Sequence, residues 1–226
     1  NRSASRGKRL PRFKTMEIKD MMKIFGRNNS VNVIKVLWCA TELGLEFERT
    51  DVGGAFGGND QPEYLEKNPM GRVPTVEVDG HILWESQAIV RYLAAKHGIG
   101  TLMPEDLGER AKSDLWMDWY TAHLHPSMTT IFWGLVRTPE AVRNNDAIEA
   151  AKVEAGQMWS ILDQHLAGRE YVAGDSLTIG DIPVGAAAFR YYTLVEERPA
   201  MPNLDRWYAS LGARPAYKTH AMNPLS

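Results

Sequence analysis

Ten residues near the middle of the first half leave the chain little freedom: Thr75-Val-Glu-Val78, then Asp79-Gly80, then His81-Ile-Leu-Trp84. Two alternating runs flank an Asp-Gly pair, and that pair suits the left-handed dihedrals of a two-residue hairpin turn. The segment therefore reads as two antiparallel strands. Ser86 caps a helix over 87–97, and Gly98 ends it. Upstream, 21–26 is a short apolar run closed by glycine, read as a strand. Residues 31–43 place Val33, Ile34, Val36, Leu37, Ala40 and Leu43 at helical spacing, with Gly44 as the stop. A second strand follows over 45–52, then a glycine-rich loop (Gly53, Gly54, Gly57, Gly58) and a short helix around 62–67. The order is β-α-β-α-β-β-α.

Beyond Gly98 the period changes, and nothing alternates any longer. Residues 108–136 carry a long helical pattern with a kink expected at Pro126. Thr138-Pro139 reads as an N-cap followed by proline, opening a helix to about residue 166. Thr178-Ile-Gly-Asp181 reads as a capping box with Leu177 and Ile182 as its hydrophobic staple, and Pro202-Asn203 starts a last short helix. The chain thus divides into an α/β domain over 16–98, a linker over 99–106 and an all-α domain over 107–226.

Composition excludes several classes. With 226 residues, 44% of them hydrophobic and 24% charged, the chain has material for a sizeable core and does not read as disordered. No apolar run approaches the ~20 residues of a membrane span, so no membrane association is expected. The single cysteine, Cys39, excludes an internal disulfide and any multi-cysteine metal site; a cytoplasmic location is expected. The six histidines form no metal-ligand pattern, and no metal is expected. Residues 1–15 hold Arg2, Arg6, Lys8, Arg9, Arg12 and Lys14 and no acid, reading as a disordered extension or a cloning remnant, with Met16 as a candidate native start. Taking those six from 26 Lys and Arg leaves 20 against 28 Asp and Glu, and a body near −8 is a poor nucleic-acid binder. The glycine loop lacks a Walker lysine and a strand-Gly-helix fingerprint, so nucleotide binding is rejected.

Three stretches together, Asn68-Pro-Met-Gly-Arg-Val-Pro-Thr75, Trp84-Glu-Ser-Gln-Ala-Ile-Val-Arg-Tyr-Leu93 and Ser176-Leu-Thr-Ile-Gly-Asp-Ile182, resemble the cytosolic glutathione S-transferase family over about residues 21–215. Asn28-Asn-Ser30, with no tyrosine nearby, is most similar to the theta-like and bacterial branches. The resemblance implies a thioredoxin-like N-terminal domain followed by an all-helical C-terminal domain. It also implies glutathione as co-substrate, a small apolar electrophile as second substrate, a homodimer, and a role in detoxification. A different class sharing this fold is a non-catalytic interaction or stress-response module; a glutathione-dependent isomerase, dehalogenase or peroxidase is a further alternative.

Such a transferase must hold two carboxylates and an amine and must ionise a thiol, because the thiolate is the nucleophile. At a thiol pKa of about 8.5 only roughly 3% is ionised at pH 7, and lowering it by about two units needs about 2.7 kcal/mol. A charge-assisted hydrogen bond supplies roughly 1.5–3 kcal/mol, and a helix N-terminus roughly 0.3–1 kcal/mol. By resemblance Ser30 donates its hydroxyl to the sulfur, with Asn28, Asn29 and Asn32 as rivals; taken alone, Ser30 reads equally as a helix cap. Cys39 lies mid-helix and reads as core. The family's cis-proline pair falls on Val73-Pro74, whose backbone would pair with the cysteinyl part of glutathione. Glu85 and Ser86 would take the γ-glutamyl end, and Arg72 the glycyl end. Asn59 stands where theta-like relatives carry a histidine. For the electrophile, Trp116, Trp119, Tyr120, His123 and Trp133 cluster on the first long helix of the second half, and two of the five are expected to line the site.

Overall fold

The computed structural model describes residues 21–226; the basic stretch 1–15 and Met16 lie outside the described residues. Four short strands form one sheet in the order β2-β1-β3-β4. Strand β1 (Met22–Phe25) runs parallel to β2 (Phe47–Thr50) and antiparallel to β3 (Thr75–Val78), which pairs with β4 (His81–Trp84). The hairpin forms where the alternation requires it: Val78 faces His81, and both turn residues have positive φ, Asp79 at 53° and Gly80 at 77°. The Asp79 carboxylate is held by the Tyr92 hydroxyl at 2.9 Å and by an ion pair with Lys96, which ties the turn to the next helix.

Helix α1 (Val31–Glu42) crosses between β1 and β2. Helix α2 (Pro62–Leu65) is a single turn, and α3 (Ser86–His97) follows the hairpin. The capping expectation at α3 needs correction. The cap position is Glu85, at φ 68°, and Ser86 is the first helical residue.

The helical half begins with α4 (Leu107–Trp119), capped by Asp106 accepting from the Glu109 N–H at 3.0 Å. The chain then stays helical to Arg137, but not regularly. A π turn (Tyr120–Leu124) precedes α5 (His125–Phe132), and a second (Trp133–Arg137) follows it. Each π turn closes on the residue before a proline, Pro126 or Pro139. Proline has no N–H to offer a preceding carbonyl. The expected kink at Pro126 is therefore this inserted turn. The next helix, α6 (Asn145–His165), starts later than Thr138-Pro139 suggested. Its cap is Asn144, whose side chain accepts from the Ala147 N–H at 3.1 Å. Helix α7 (Asp181–Leu194) opens on the predicted box: the Asp181 carboxylate accepts from the Thr178 N–H at 3.0 Å, and the Thr178 hydroxyl accepts from the Gly180 N–H at 3.3 Å. Asp181 also takes the Val172 N–H at 3.0 Å and the Trp207 indole N–H at 2.9 Å, so it links three segments. Pro202 starts α8 (Pro202–Ala213), and a further helix, α9 (Pro215–Ala221), was not anticipated.

The two halves meet along α1, which buries eight consecutive residues from Val33 to Ala40. Trp38 is fully buried, edge-on to Tyr217 at 4.8 Å, and its ring sits where a Cβ on Gly185 of α7 would come within 2.8 Å. Each large apolar side chain on this face gains about 1.5–3 kcal/mol by leaving water. The Trp38 indole N–H and the Arg214 guanidinium both bond Glu42, the latter as an ion pair at 2.6 Å. This seam fixes the strand ends of the sheet against α5 and α7.

Candidate functional site

Between the halves lies a cavity of about 470 Å³. Its floor is the loop ahead of β3, and the motif residues there are explained by their bonds. Asn68 is buried; its amide donates to the Arg72 carbonyl at 2.8 Å and the Thr75 hydroxyl at 3.1 Å, while its carbonyl accepts from the Met70 N–H at 3.0 Å. The Tyr64 hydroxyl donates to the Arg72 carbonyl at 2.6 Å and accepts from the Thr75 hydroxyl at 2.8 Å. This network holds Val73 and Pro74 at the cavity edge with the bond between them cis. Among the described residues, neither the N–H nor the C=O of Val73 has a hydrogen-bond partner, so both are open to an extended ligand. Gly71 needs its missing side chain: φ is 57°, and a Cβ would lie 3.1 Å from the Asn59 carbonyl oxygen. Asn59 lines the cavity, and its amide donates to the Gly71 carbonyl at 2.8 Å, tying the glycine loop to this edge. Arg72 also lines the cavity and is exposed.

Ser30 stands at the first turn of α1, 8% exposed and on the cavity wall. It occupies the N-cap position yet makes no side-chain cap bond. The hydroxyl is thus not committed to the helix, and it sits beside N–H groups that helix starts leave unpaired. Of the rivals, Asn32 lines the cavity, while Asn28 and Asn29 do not. The reason is local. Asn28 is exposed, and the Asn29 amide turns away to Ser226, donating to its hydroxyl at 2.6 Å.

On the opposite side, Glu85 and Ser86 line the cavity at the start of α3. A positive φ at a non-glycine residue costs free energy and recurs where a site needs it. At Glu85 it turns the backbone into the cavity. Behind them lies Lys35, buried in α1. Its ammonium donates to Asn32 Oδ1 at 3.0 Å and lies 4.4 Å from the centre of the Tyr120 ring. Burial, with help from Arg190, pulls the Lys35 ammonium down to about 7, and Glu85 partly offsets this.

The helical wall differs from expectation. Tyr120 and Trp133 reach the cavity; Trp116, Trp119 and His123 do not. Trp116 is buried against Trp119 at 4.9 Å and His165 at 4.5 Å, and His123 is exposed. The physical cause is the π turn at Tyr120–Leu124. One added residue rotates everything after it by about 100°. The stripe facing the cavity is consequently His125, Met128, Thr129, Phe132 and Trp133, an i, i+3, i+4, i+7, i+8 set on α5 and its continuation. His125 Nδ1 lies 2.9 Å from the Tyr120 hydroxyl. Burial, then Lys35 and Arg190, lower the His125 imidazole to about 4, so it is neutral at pH 7.

Three arginines were missed altogether: Arg27 after β1, Arg137 at the end of the second π turn, and Arg190 in α7. A signal existed for Arg190 and Lys35, since each interrupts a run that is otherwise apolar. Cys39 is buried, its thiol pushed up by burial, and is remote from the cavity lining. Among the described residues no group of three or more His, Cys, Asp or Glu is placed to hold a metal, and no helix is long and apolar enough to cross a membrane.

Residues 21–95 match the family model described as glutathione S-transferase, N-terminal domain, and residues 124–215 match glutathione S-transferase, C-terminal domain. The chain is 39% identical to glutathione S-transferase GstB of Escherichia coli (strain K12) over 208 residues, spanning 91% of this chain and 100% of that protein. It is 34% identical to glutathione S-transferase 3 of Zea mays over 218 residues, 90% of this chain and 95% of that one. Among solved structures, it is similar to the theta class glutathione S-transferase from the citrus canker pathogen Xanthomonas axonopodis pv. citri with glutathione bound. The TM-score is 0.88 at 45% identity, covering 92% of this chain and 100% of the other.

Proposed function

The chain belongs to the glutathione S-transferase family, and from that premise we propose that it joins the thiolate sulfur of glutathione to a small electrophile with an apolar body. The observation that carries the mechanism is the uncommitted Ser30 hydroxyl at the cavity wall. In this reading Ser30 donates to the sulfur and keeps it ionised, and the N-terminus of α1 adds to the same field. The open N–H and C=O of Val73 pair with the cysteinyl backbone. The start of α3 takes the γ-glutamyl carboxylate, with Ser86 donating and Glu85 facing the amine. Arg72 and Asn59 lie toward the glycyl carboxylate. The face of α5 from Met128 to Trp133 receives the electrophile.

Attack forms a carbon–sulfur bond, the leaving group departs with its electron pair, and the thiol proton goes to solvent. A cytoplasmic location and two-fold pairing of the chain belong to the same reading. Exposed Ile82, Trp84 and Leu115 support an interface between copies, and a sedimenting species of twice the chain mass is the expected result. The function is tested by titrating the protein with glutathione while following the ultraviolet thiolate band against pH, together with conjugation of 1-chloro-2,4-dinitrobenzene. A bound thiol ionising well below its free value, with turnover, is expected. Binding with neither would make the protein a glutathione carrier or scaffold.

A further inference from the structure

Arg27, Arg137 and Arg190 converge on the cavity from three separate elements, two of them in the helical half. Other arginines of the chain are paired: Arg49 with Asp51, Arg91 with Asp114 and Asp118, Arg206 with Glu170, and Arg214 with Glu42. These three form no ion pair among the described residues. Each instead keeps a buried nitrogen without a hydrogen-bond partner: Nε of Arg27, Nη2 of Arg137 and Nε of Arg190. Arg190 is only 8% exposed; its one hydrogen bond runs from Nη2 to the Asn29 carbonyl at 2.9 Å, and its guanidinium lies 3.9 Å from the centre of the Phe132 ring. Arg137 stands over the same ring at 5.6 Å. Arg27 lies across Gly54, where a Cβ would meet its Cδ and Nε at 3.0 Å.

Burial and mutual repulsion lower both Arg27 and Arg190, the latter to about 10. Three like charges crowded this way are unfavourable until an anion joins them. The charge on the cavity wall says how much anion is wanted. Four arginines, with Arg72, face a single carboxylate, Glu85, for a surplus of three positive charges. Glutathione as the thiolate has two carboxylates, one ammonium and one sulfur anion, net −2. One positive charge remains unanswered.

Resting on the transferase reading, we propose that the electrophile carries a carboxylate, which Arg137 and Arg190 bind with Arg27 behind them while its apolar body lies on Phe132 and Trp133. A guanidinium pair matches a carboxylate in geometry as well as charge. The two glutathione carboxylates already have their own places at Arg72 and at the start of α3, on other parts of the wall.

The test compares 4-chloro-3-nitrobenzoate with 4-chloro-3-nitrobenzamide. In both, the sulfur bonds to the ring carbon bearing chlorine and chloride leaves with the bonding pair. Each kcat/KM is divided by the uncatalysed rate constant with glutathione. In the wild type the normalised benzoate value is expected to exceed the benzamide value at least tenfold. In Arg137→Gln that ratio should fall about tenfold, with the glutathione KM moving less than threefold. A wild-type ratio of one or below overturns the inference. So does a variant in which the ratio stands while the glutathione KM rises tenfold, because the arginines would then serve glutathione. Unreactive 3-nitrobenzoate, tested on the wild type, should compete with the benzamide at least tenfold more tightly than 3-nitrobenzamide does. Equal inhibition overturns the proposal even if the variant fails to fold. Turnover of the benzamide alone removes only the anion; no turnover of either probe or of 1-chloro-2,4-dinitrobenzene removes the transferase reading itself.

Discussion

Replacing Ser30 by alanine removes one hydroxyl from a helix start without removing a cap, because that hydroxyl makes no cap bond. Two consequences of opposite size follow. An Ser-to-Ala change at a working cap costs about 1 kcal/mol of stability; here the loss should stay below about 0.5 kcal/mol, read as an unchanged urea midpoint. The bound thiol, by contrast, loses a donor to a charged group worth roughly 1.5–3 kcal/mol. At about 1.36 kcal/mol per pKa unit, the thiolate midpoint should rise by about one to two units. If the wild-type thiol ionises near pH 6.5, the thiolate fraction at that pH drops from about half to roughly 1–10%, so turnover falls about 5- to 50-fold. The gap should close as the pH approaches 9, and glutathione affinity should change far less than turnover. The assay is the ultraviolet thiolate band against pH, with turnover at each point. A midpoint that moves less than about 0.3 unit in the variant would refute the assignment. The role would then pass to Asn32 or the first N–H groups of α1, since Asn28 and Asn29 do not line the cavity.

Lys35 should prove a cost to the fold: its ammonium ionises near 7 in the folded chain against 10.5 ordinarily, so its stabilising effect is full above pH 10.5 and is lost as the pH falls through 7. Lys35→Met should flatten the stability curve over that window and exceed the wild type at pH 6 by about 1 kcal/mol or more in urea unfolding; a less stable variant at pH 6 would contradict this. Asp181→Ala leaves the Val172, Thr178 and Trp207 N–H groups without their acceptor. At about 1–3 kcal/mol each, a loss of at least about 3 kcal/mol is expected, and a loss under about 1 kcal/mol would deny the box its structural role. Cys39, buried and with its thiol pushed up, should resist a thiol-reactive dye in the native protein and react once unfolded; labelling of the folded chain would mean that α1 opens.

Local chemistry was legible where a few adjacent residues decide the outcome. The Asp79-Gly80 turn, the Thr178–Asp181 box and the segment from Asn68 to Thr75 each carry their own hydrogen-bonding logic within ten residues, and each forms as its residues require. The glutathione edge of the cavity was readable for the same reason, because it is built from one loop and two helix starts. The helical wall was not. Its facing stripe depends on phase accumulated along 31 residues from Leu107 to Arg137, and one π turn before Pro126 shifts that phase for everything beyond. Trp116, Trp119 and His123 were chosen on a stripe that the inserted turn breaks. The arginines escaped for a different reason. A charge is informative only against its partners, and the absence of a partner is a property of three dimensions. Arg190 interrupts an apolar helix and Arg137 ends one; in sequence both resemble the paired Arg214. Their unpaired nitrogens, stacked about one phenylalanine ring, turn an apolar cavity into one that selects for charge. Substrate choice therefore rests on the part of the molecule whose phase and pairing are set last, after both halves have docked along α1.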